Sequence, residues 1–153
     1  MEIKKGHNLN IFLVDDDPDD RLFFKEAIAE IKADINLNIV NNGEALMNLL
    51  LKPDAILPNI IFLDLNMPSK NGFECLEEIK SDKRLMDIIV IIYSTSSSNT
   101  EINETYKKGA NLYIRKPINF SELKEMLTRI LAINWEKYTP KPKKEKFIWA
   151  KEI

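Results

Sequence analysis

Apolar residues in this chain fall into two alternating patterns: short unbroken runs, and longer stretches in which they recur every three or four positions. The runs are Ile11-Phe12-Leu13-Val14, Ile60-Ile61-Phe62-Leu63, Ile88 to Tyr93 and Leu112-Tyr113-Ile114, with Leu37, Ile39 and Val40 as a shorter strand. A run without polar alternation predicts a strand buried on both faces, as in a parallel sheet covered by helices. Between the runs, Leu22, Phe24, Ala27, Ile28 and Ile31 predict an amphipathic helix from Pro18 to about Lys32, packed on the sheet. Asn41-Asn42-Gly43 is a turn into a short helix, Glu44 to Leu51, and Lys52 to Asn59 connects that helix to the central strand. A third helix after Gly72 turns Phe73, Leu76 and Ile79 inward, and Cys75 fits there as a small buried hydrophobe. Asn99 to Lys108 is weakly amphipathic and stops at Gly109, and a last helix from about Ser121 to Asn134 carries Leu123, Met126, Leu127, Ile130, Leu131 and Ile133. Strand and helix alternate five times, which predicts an α/β, doubly wound sheet with right-handed crossovers.

The strand ends carry the chemistry. The run at Ile60 delivers Asp64 and stops at Leu65-Asn66-Met67-Pro68, so Asp64 is held by a rigid strand at the carboxyl edge, where open α/β sheets bind ligands. Taken alone, Asp64 reads equally well as a cap of the next turn. The run at Ile11 ends in Asp15-Asp16-Asp17 before Pro18. Asp17 fits a helix N-cap, with Pro18 at the first helical position and Asp19 and Asp20 favouring the helix dipole. Asp15 and Asp16 have no such role, and adjacent carboxylates repel unless a cation compensates them. The remaining strands run into Ser94-Thr95 and Arg115-Lys116-Pro117.

Composition narrows the picture without changing it. The chain has 153 residues, 44% hydrophobic and 30% charged, an ordinary globular mix of single-domain size. Its 24 acidic and 22 basic side chains give no field that would favour nucleic acid. One cysteine excludes an internal disulfide, and the only histidine, His7, lies in a polar leader where nothing orients it for catalysis. No signal segment or membrane span is evident, so the expected location is cytoplasmic.

Asp15, Asp16 and Asp64 form a set of hard oxygen donors of the kind Mg²⁺ selects. Lys116 supplies a point charge for phosphate oxygens, Ser94 or Thr95 a hydroxyl donor, and an aspartate so placed can act as a nucleophile toward phosphorus.

In these residues the chain resembles the response-regulator receiver domains of two-component signalling, over roughly Asn10 to Asn134. Asp64-Leu65-Asn66-Met67-Pro68 and Arg115-Lys116-Pro117 are the most specific pieces. The resemblance implies a flavodoxin-like fold with a five-stranded sheet in the order 2-1-3-4-5. It also implies Asp64 as phospho-acceptor, Asp15, Asp16, Asp64 and the backbone carbonyl of Asn66 as Mg²⁺ ligands, and Lys116 as the phosphate-binding lysine. Ser94, favoured over Thr95 by ungapped counting from the lysine, is the implied switch hydroxyl, and Tyr113 the aromatic switch. The Lys116-Pro117 bond is implied to be cis, at an intrinsic cost of about 0.5–1 kcal/mol. Val14 to Arg21, the connection from Lys52 to Asn59 and Ile133-Asn134-Trp135 look most like the small stand-alone regulators associated with bacterial phytochromes.

The expected organisation is a receiver domain over 1–135 and a basic tail over 136–153, with no output domain. The expected partners are a histidine kinase, of phytochrome type, and an unidentified downstream protein, with no nucleic acid or membrane. The chain is expected to catalyse only its own phosphorylation and dephosphorylation. Readout is expected at the face made by the fourth helix, fifth strand and last helix, through a homodimer, because the apolar arc of the last helix is wider than one sheet contact needs. The tail reads as a solvated extension or as a partner-binding or strand-forming segment anchored by Phe147 and Trp149. Alternative functions are a Mg²⁺-dependent aspartyl-phosphate phosphatase, which wants a second acid for the leaving group, and a phosphorelay intermediate. A flavin module is disfavoured, because Asp15 to Asp20 would repel the cofactor's phosphate.

Overall fold

The four unbroken apolar runs and the alternating segment around Leu37 form the strands of one parallel sheet: β1 (Leu9–Val14), β2 (Ile35–Val40), β3 (Ile60–Leu63), β4 (Ile89–Ser94) and β5 (Leu112–Arg115), ordered β2-β1-β3-β4-β5. This computed structural model describes residues 8–135 and 142–149. Alternation along each inner strand divides the core in two. Ile11, Leu13, Ile60 and Phe62 face α1 (Pro18–Glu30) and α5 (Phe120–Leu131). Phe12, Val14, Ile61 and Leu63 face α2 (Gly43–Leu50), α3 (Gly72–Ser81) and α4 (Asn99–Lys107). Both faces of β3 are therefore buried, which is why its sequence lacks polar alternation.

Helix starts follow local chemistry. Asp17 caps α1 by accepting from the Asp19 and Asp20 amides at 2.8 and 3.2 Å, with Pro18 in the first turn. Asn71 and Glu74 close a capping box on α3. Cys75 is fully buried, as expected, and burial pushes its thiol up to about 11. Among the described residues, no helix is long and apolar enough to cross a membrane.

Two sequence expectations about helix faces need correction. Leu22 is 54% exposed rather than inward, because it lies about 200° around the helix from Phe24, outside the stripe Phe24, Ala27, Ile28. In α5, Leu123, Met126, Leu127, Ile130 and Leu131 are all buried within the chain, against the sheet and its neighbouring helix. Their wide arc is core and gives no support to a homodimer.

The tail is not simply solvated where it is described. Pro142 to Trp149 folds back on β5, with a single turn α6 (Lys144–Phe147) and a parallel bridge between Ile148 and Tyr113. One isolated bridge falls short of the expected strand, but the anchoring is seen: Phe147 is fully buried and the Trp149 amide donates to the Tyr113 carbonyl at 2.9 Å. The rest of the tail and His7 lie outside the described residues.

Candidate functional site

The sheet register places the chemistry. Val14 pairs with Leu63, so the next residues, Asp15 and Asp64, leave neighbouring strands side by side. Their backbones stay tied to the sheet: the Asp64 amide donates to the Val14 carbonyl at 3.0 Å, and the Asp15 amide to Val40 at 3.1 Å. From the other side, the Lys116 amide donates to the Ser94 carbonyl at 2.7 Å. The Lys116 side chain then reaches across, with Nζ 2.8 Å from Asp15 Oδ2, 2.9 Å from Asp20 Oδ2 and 3.5 Å from Asp64 Oδ2. The same ammonium lies 5.4 Å from the Tyr93 ring centre, a cation–π contact that fixes its approach.

The lysine does this through a trans bond. No described peptide is cis, so the expected cis Lys116-Pro117 linkage is not found. Trans is the intrinsically favoured isomer of an X-Pro bond, and the Lys116 side chain is long enough to meet all three carboxylates without the other.

Asp15, Asp16 and Asp64 each present a carboxylate oxygen within 4.8 Å of the others. Asp15 and Asp64 are buried and Asp16 is exposed, so the cluster opens to solvent on one side. Burial pushes the Asp64 carboxyl up to about 6, the Lys116 charge opposing and Asp15 reinforcing that shift. Burial also raises Asp15, against the pull of Lys116 and the Asp17 amide, which donates to Oδ1 at 2.9 Å. For Lys116, burial lowers the ammonium, but its close contacts with Asp15 and Asp20 and the negative charges of Asp15 and Asp64 outweigh it and hold it above its ordinary value. Asp15 Oδ2 touches Lys116 as an ion pair, yet accepts no hydrogen bond of good geometry. A buried lone pair so placed, beside two more hard oxygens, fits a divalent cation.

Gly72 explains how the loop after β3 packs so tightly. A Cβ there would overlap the Asp64 carbonyl oxygen and sit 2.8 Å from Leu65 Cα, while the Gly72 amide donates to the Leu65 carbonyl at 3.0 Å. The Asn66 amide turns back toward Asp64 Oδ1 at 3.4 Å, which brings the Asn66 backbone to the site.

The two candidate hydroxyls part company. Ser94 ends β4 and is fully buried, its hydroxyl accepting from the Ser96 amide at 3.2 Å, whereas Thr95 is exposed. Tyr113 is buried and already turned inward, its hydroxyl donating to the Ser96 carbonyl at 2.9 Å. Asp20 is the site residue that sequence reasoning missed. Its place in the first turn of α1 suggested only dipole support, and its pairing with Lys116 is a contact across 96 residues. The one available signal was its position a turn beyond Asp15 and Asp16.

The family model for the response regulator receiver domain matches residues 11–128. Response regulator Rcp1 of Synechocystis sp. is 33% identical over 124 residues, covering 78% of this chain and 84% of Rcp1. Chemotaxis protein CheY1 of Helicobacter pylori is 29% identical over 126 residues, covering 82% of this chain and 99% of CheY1. Among solved structures, the phosphorylated cyanobacterial phytochrome response regulator RcpA is 35% identical, with a TM-score of 0.76, covering 90% of this chain and all of RcpA (100%). The Mn²⁺-bound form of Rcp1 also gives a TM-score of 0.76 at 32% identity, covering 88% of this chain and 99% of that one.

Proposed function

The chain belongs to the response regulator receiver family, and on that premise we propose that Asp64 accepts a phosphoryl group from the phosphohistidine of a histidine kinase. The observation that carries this reading is the meeting of Asp15, Asp16 and Asp64 with Lys116 at the carboxyl ends of adjacent strands. With its carboxyl at about 6, Asp64 is ionised at neutral pH and serves as the nucleophile. Its oxygen forms the new bond to phosphorus as the bond from phosphorus to the donor imidazole nitrogen breaks; the electron pair of that bond stays on the nitrogen, which takes a proton from solvent, and the donor leaves as neutral histidine. Lys116 neutralises charge on the transferring group, and Ser94, the buried hydroxyl, donates to a phosphoryl oxygen once it is in place.

Asp15, Asp16, Asp64 and the Asn66 carbonyl would hold Mg²⁺. That ion supplies charge neutralisation between the carboxylates and the incoming phosphoryl group. Likeness to Rcp1, which has a Mn²⁺-bound form, supports a divalent metal in this chain, and the donor set favours Mg²⁺.

The chain acts on its own aspartate rather than as a phosphatase of external esters. Met67 and Pro68 follow Asn66 where an acid for the leaving group would be wanted, and Met67 is buried. Likeness to RcpA supports a phytochrome-type kinase as donor and hence a cytoplasmic location. The readout is assigned to the α4–β5–α5 face, to which Ser94, Ser96 and Tyr113 connect the site, and to a downstream protein that reads it.

Acetyl phosphate, a small phosphodonor, tests the reading. With Mg²⁺ the intact mass should rise by one phosphoryl group, with EDTA it should not, and no steady release of product from phosphoesters should follow. Labelling that is indifferent to EDTA, or continuous ester turnover, would contradict it.

A further inference from the structure

The C-terminal segment is bound to the part of the fold that connects the site to its output face. The Phe147 ring sits in a corner made by two tyrosines, 5.1 Å from the Tyr106 ring centre and 6.3 Å from that of Tyr113, at interplanar angles of 61°. The Tyr106 hydroxyl donates to the Pro142 carbonyl at 2.7 Å, and the Trp149 amide donates to the Tyr113 carbonyl at 2.9 Å. Phe147 belongs to the core on the α4 side and Trp149 packs on the α5 side, with Ile148 between them 42% exposed. The segment thus grips the free edge of β5 from both faces, with Tyr113 at the centre of the grip.

Tyr113 is also the end of a chain of contacts that begins at the site. Its hydroxyl donates to the Ser96 carbonyl at 2.9 Å, and the Ser96 amide donates to Ser94 Oγ at 3.2 Å. Phe147 fills the space beside the Tyr113 ring, with 6.3 Å between ring centres and both side chains fully buried, so the Tyr113 ring cannot move toward that side without displacing it.

We propose that Phe147 is a positioning residue for phosphorylation of Asp64: it holds Tyr113 inward and so keeps the Ser94–Ser96 loop where the phosphoryl group needs it. This rests on the phospho-acceptor reading above. Simple edge protection is the competing role, since an open sheet edge needs cover. Edge protection predicts a loss of stability on mutation and no effect on the site. Positioning predicts coupling, and coupling must be reciprocal.

The test uses the full chain, Mg²⁺ and beryllofluoride, a phosphoryl mimic. Phe147→Ala should weaken beryllofluoride binding by about fivefold or more, the lower range of coupling between sites. Phe147→Leu, which refills the corner, should restore most of it. Reciprocally, saturating beryllofluoride should slow hydrogen exchange of the Trp149 amide in the wild-type chain. A folded Phe147→Ala chain that binds beryllofluoride as the wild type does overturns the proposal. Should that variant not fold, the wild-type exchange measurement decides alone, and an unchanged Trp149 rate overturns it. Failure of the wild-type chain to bind beryllofluoride would instead refute the Asp64 reading, and the clamp with it.

Discussion

Lys116 is the residue on which the site's charge balance turns, since it faces Asp15, Asp20 and Asp64 at once. Replacing it by Met should cost about 3–5 kcal/mol, because removing one member of a buried ion pair leaves the others uncompensated. Urea unfolding checks this, and Mg²⁺ should recover part of the loss. Asp64 carries the opposite sign. A carboxyl whose pKa is higher in the folded chain binds its proton more tightly when folded. Stability is therefore lost, not gained, as pH rises from the ordinary 3.8 to about 6, and the loss stays in full above that. Metal-free Asp64→Asn should accordingly be more stable than wild type at pH 7, by on the order of 1–3 kcal/mol, with the difference shrinking below pH 6. Thermal unfolding with EDTA at pH 4.5 and 7 measures it, and equal midpoints at both pH values would contradict it. Asp16 is exposed, so Asp16→Asn should fold normally yet show a smaller Mg²⁺-dependent rise in Tm than wild type. Most of these residues were legible because strand ends are legible: an apolar run that stops at a carboxylate states where that carboxylate lies. Asp20 was not, because its partner Lys116 is contributed by the loop that follows β5, far along the chain. The isomer of Lys116-Pro117 was not either, since two residues do not fix a choice between states so close in energy.

At the scale of elements, β3 and its exit loop are the most constrained. Gly72 lies where the first turn of α3 meets the Asp64 and Leu65 backbone, and any Cβ would meet main chain rather than a flexible side chain. Gly72→Ala should therefore shift the β3–α3 loop, lower stability by about 1–3 kcal/mol as overpacking does, and reduce the rate of phosphorylation more than Thr95→Ala does. Urea unfolding and acetyl phosphate labelling of the two variants compare these effects. β3, β4 and β5 were readable to within a residue because unbroken apolar runs have one explanation in a covered parallel sheet, whereas β1 and β2 begin two residues earlier than expected, in the mixed pairs Leu9-Asn10 and Ile35-Asn36. The helix faces were less so. Leu22 looked inward only until its angle from Phe24 was set by the real helix, and the α5 arc looked like a surface because sequence does not show that the sheet and α1 together cover it.

For the whole molecule, the receiver fold and its C-terminal segment form one connected path, from the carboxylates through Ser94, Ser96 and Tyr113 to Phe147 and Trp149. Basic residues around two prolines had made that segment look solvated, and Phe147 and Trp149 were the only hint that it docks. Their target, the edge of β5, is a property of the assembled sheet that no local pattern contains. The path has a signal to carry only if Asp64 takes the phosphoryl group. The direct measurement is intact-mass analysis and peptide mapping after treatment with acetyl phosphate and Mg²⁺, on wild type and Asp64→Asn side by side. One phosphoryl group on Asp64 in the wild type and none on the variant is the predicted result, and undiminished labelling of Asp64→Asn would contradict the account.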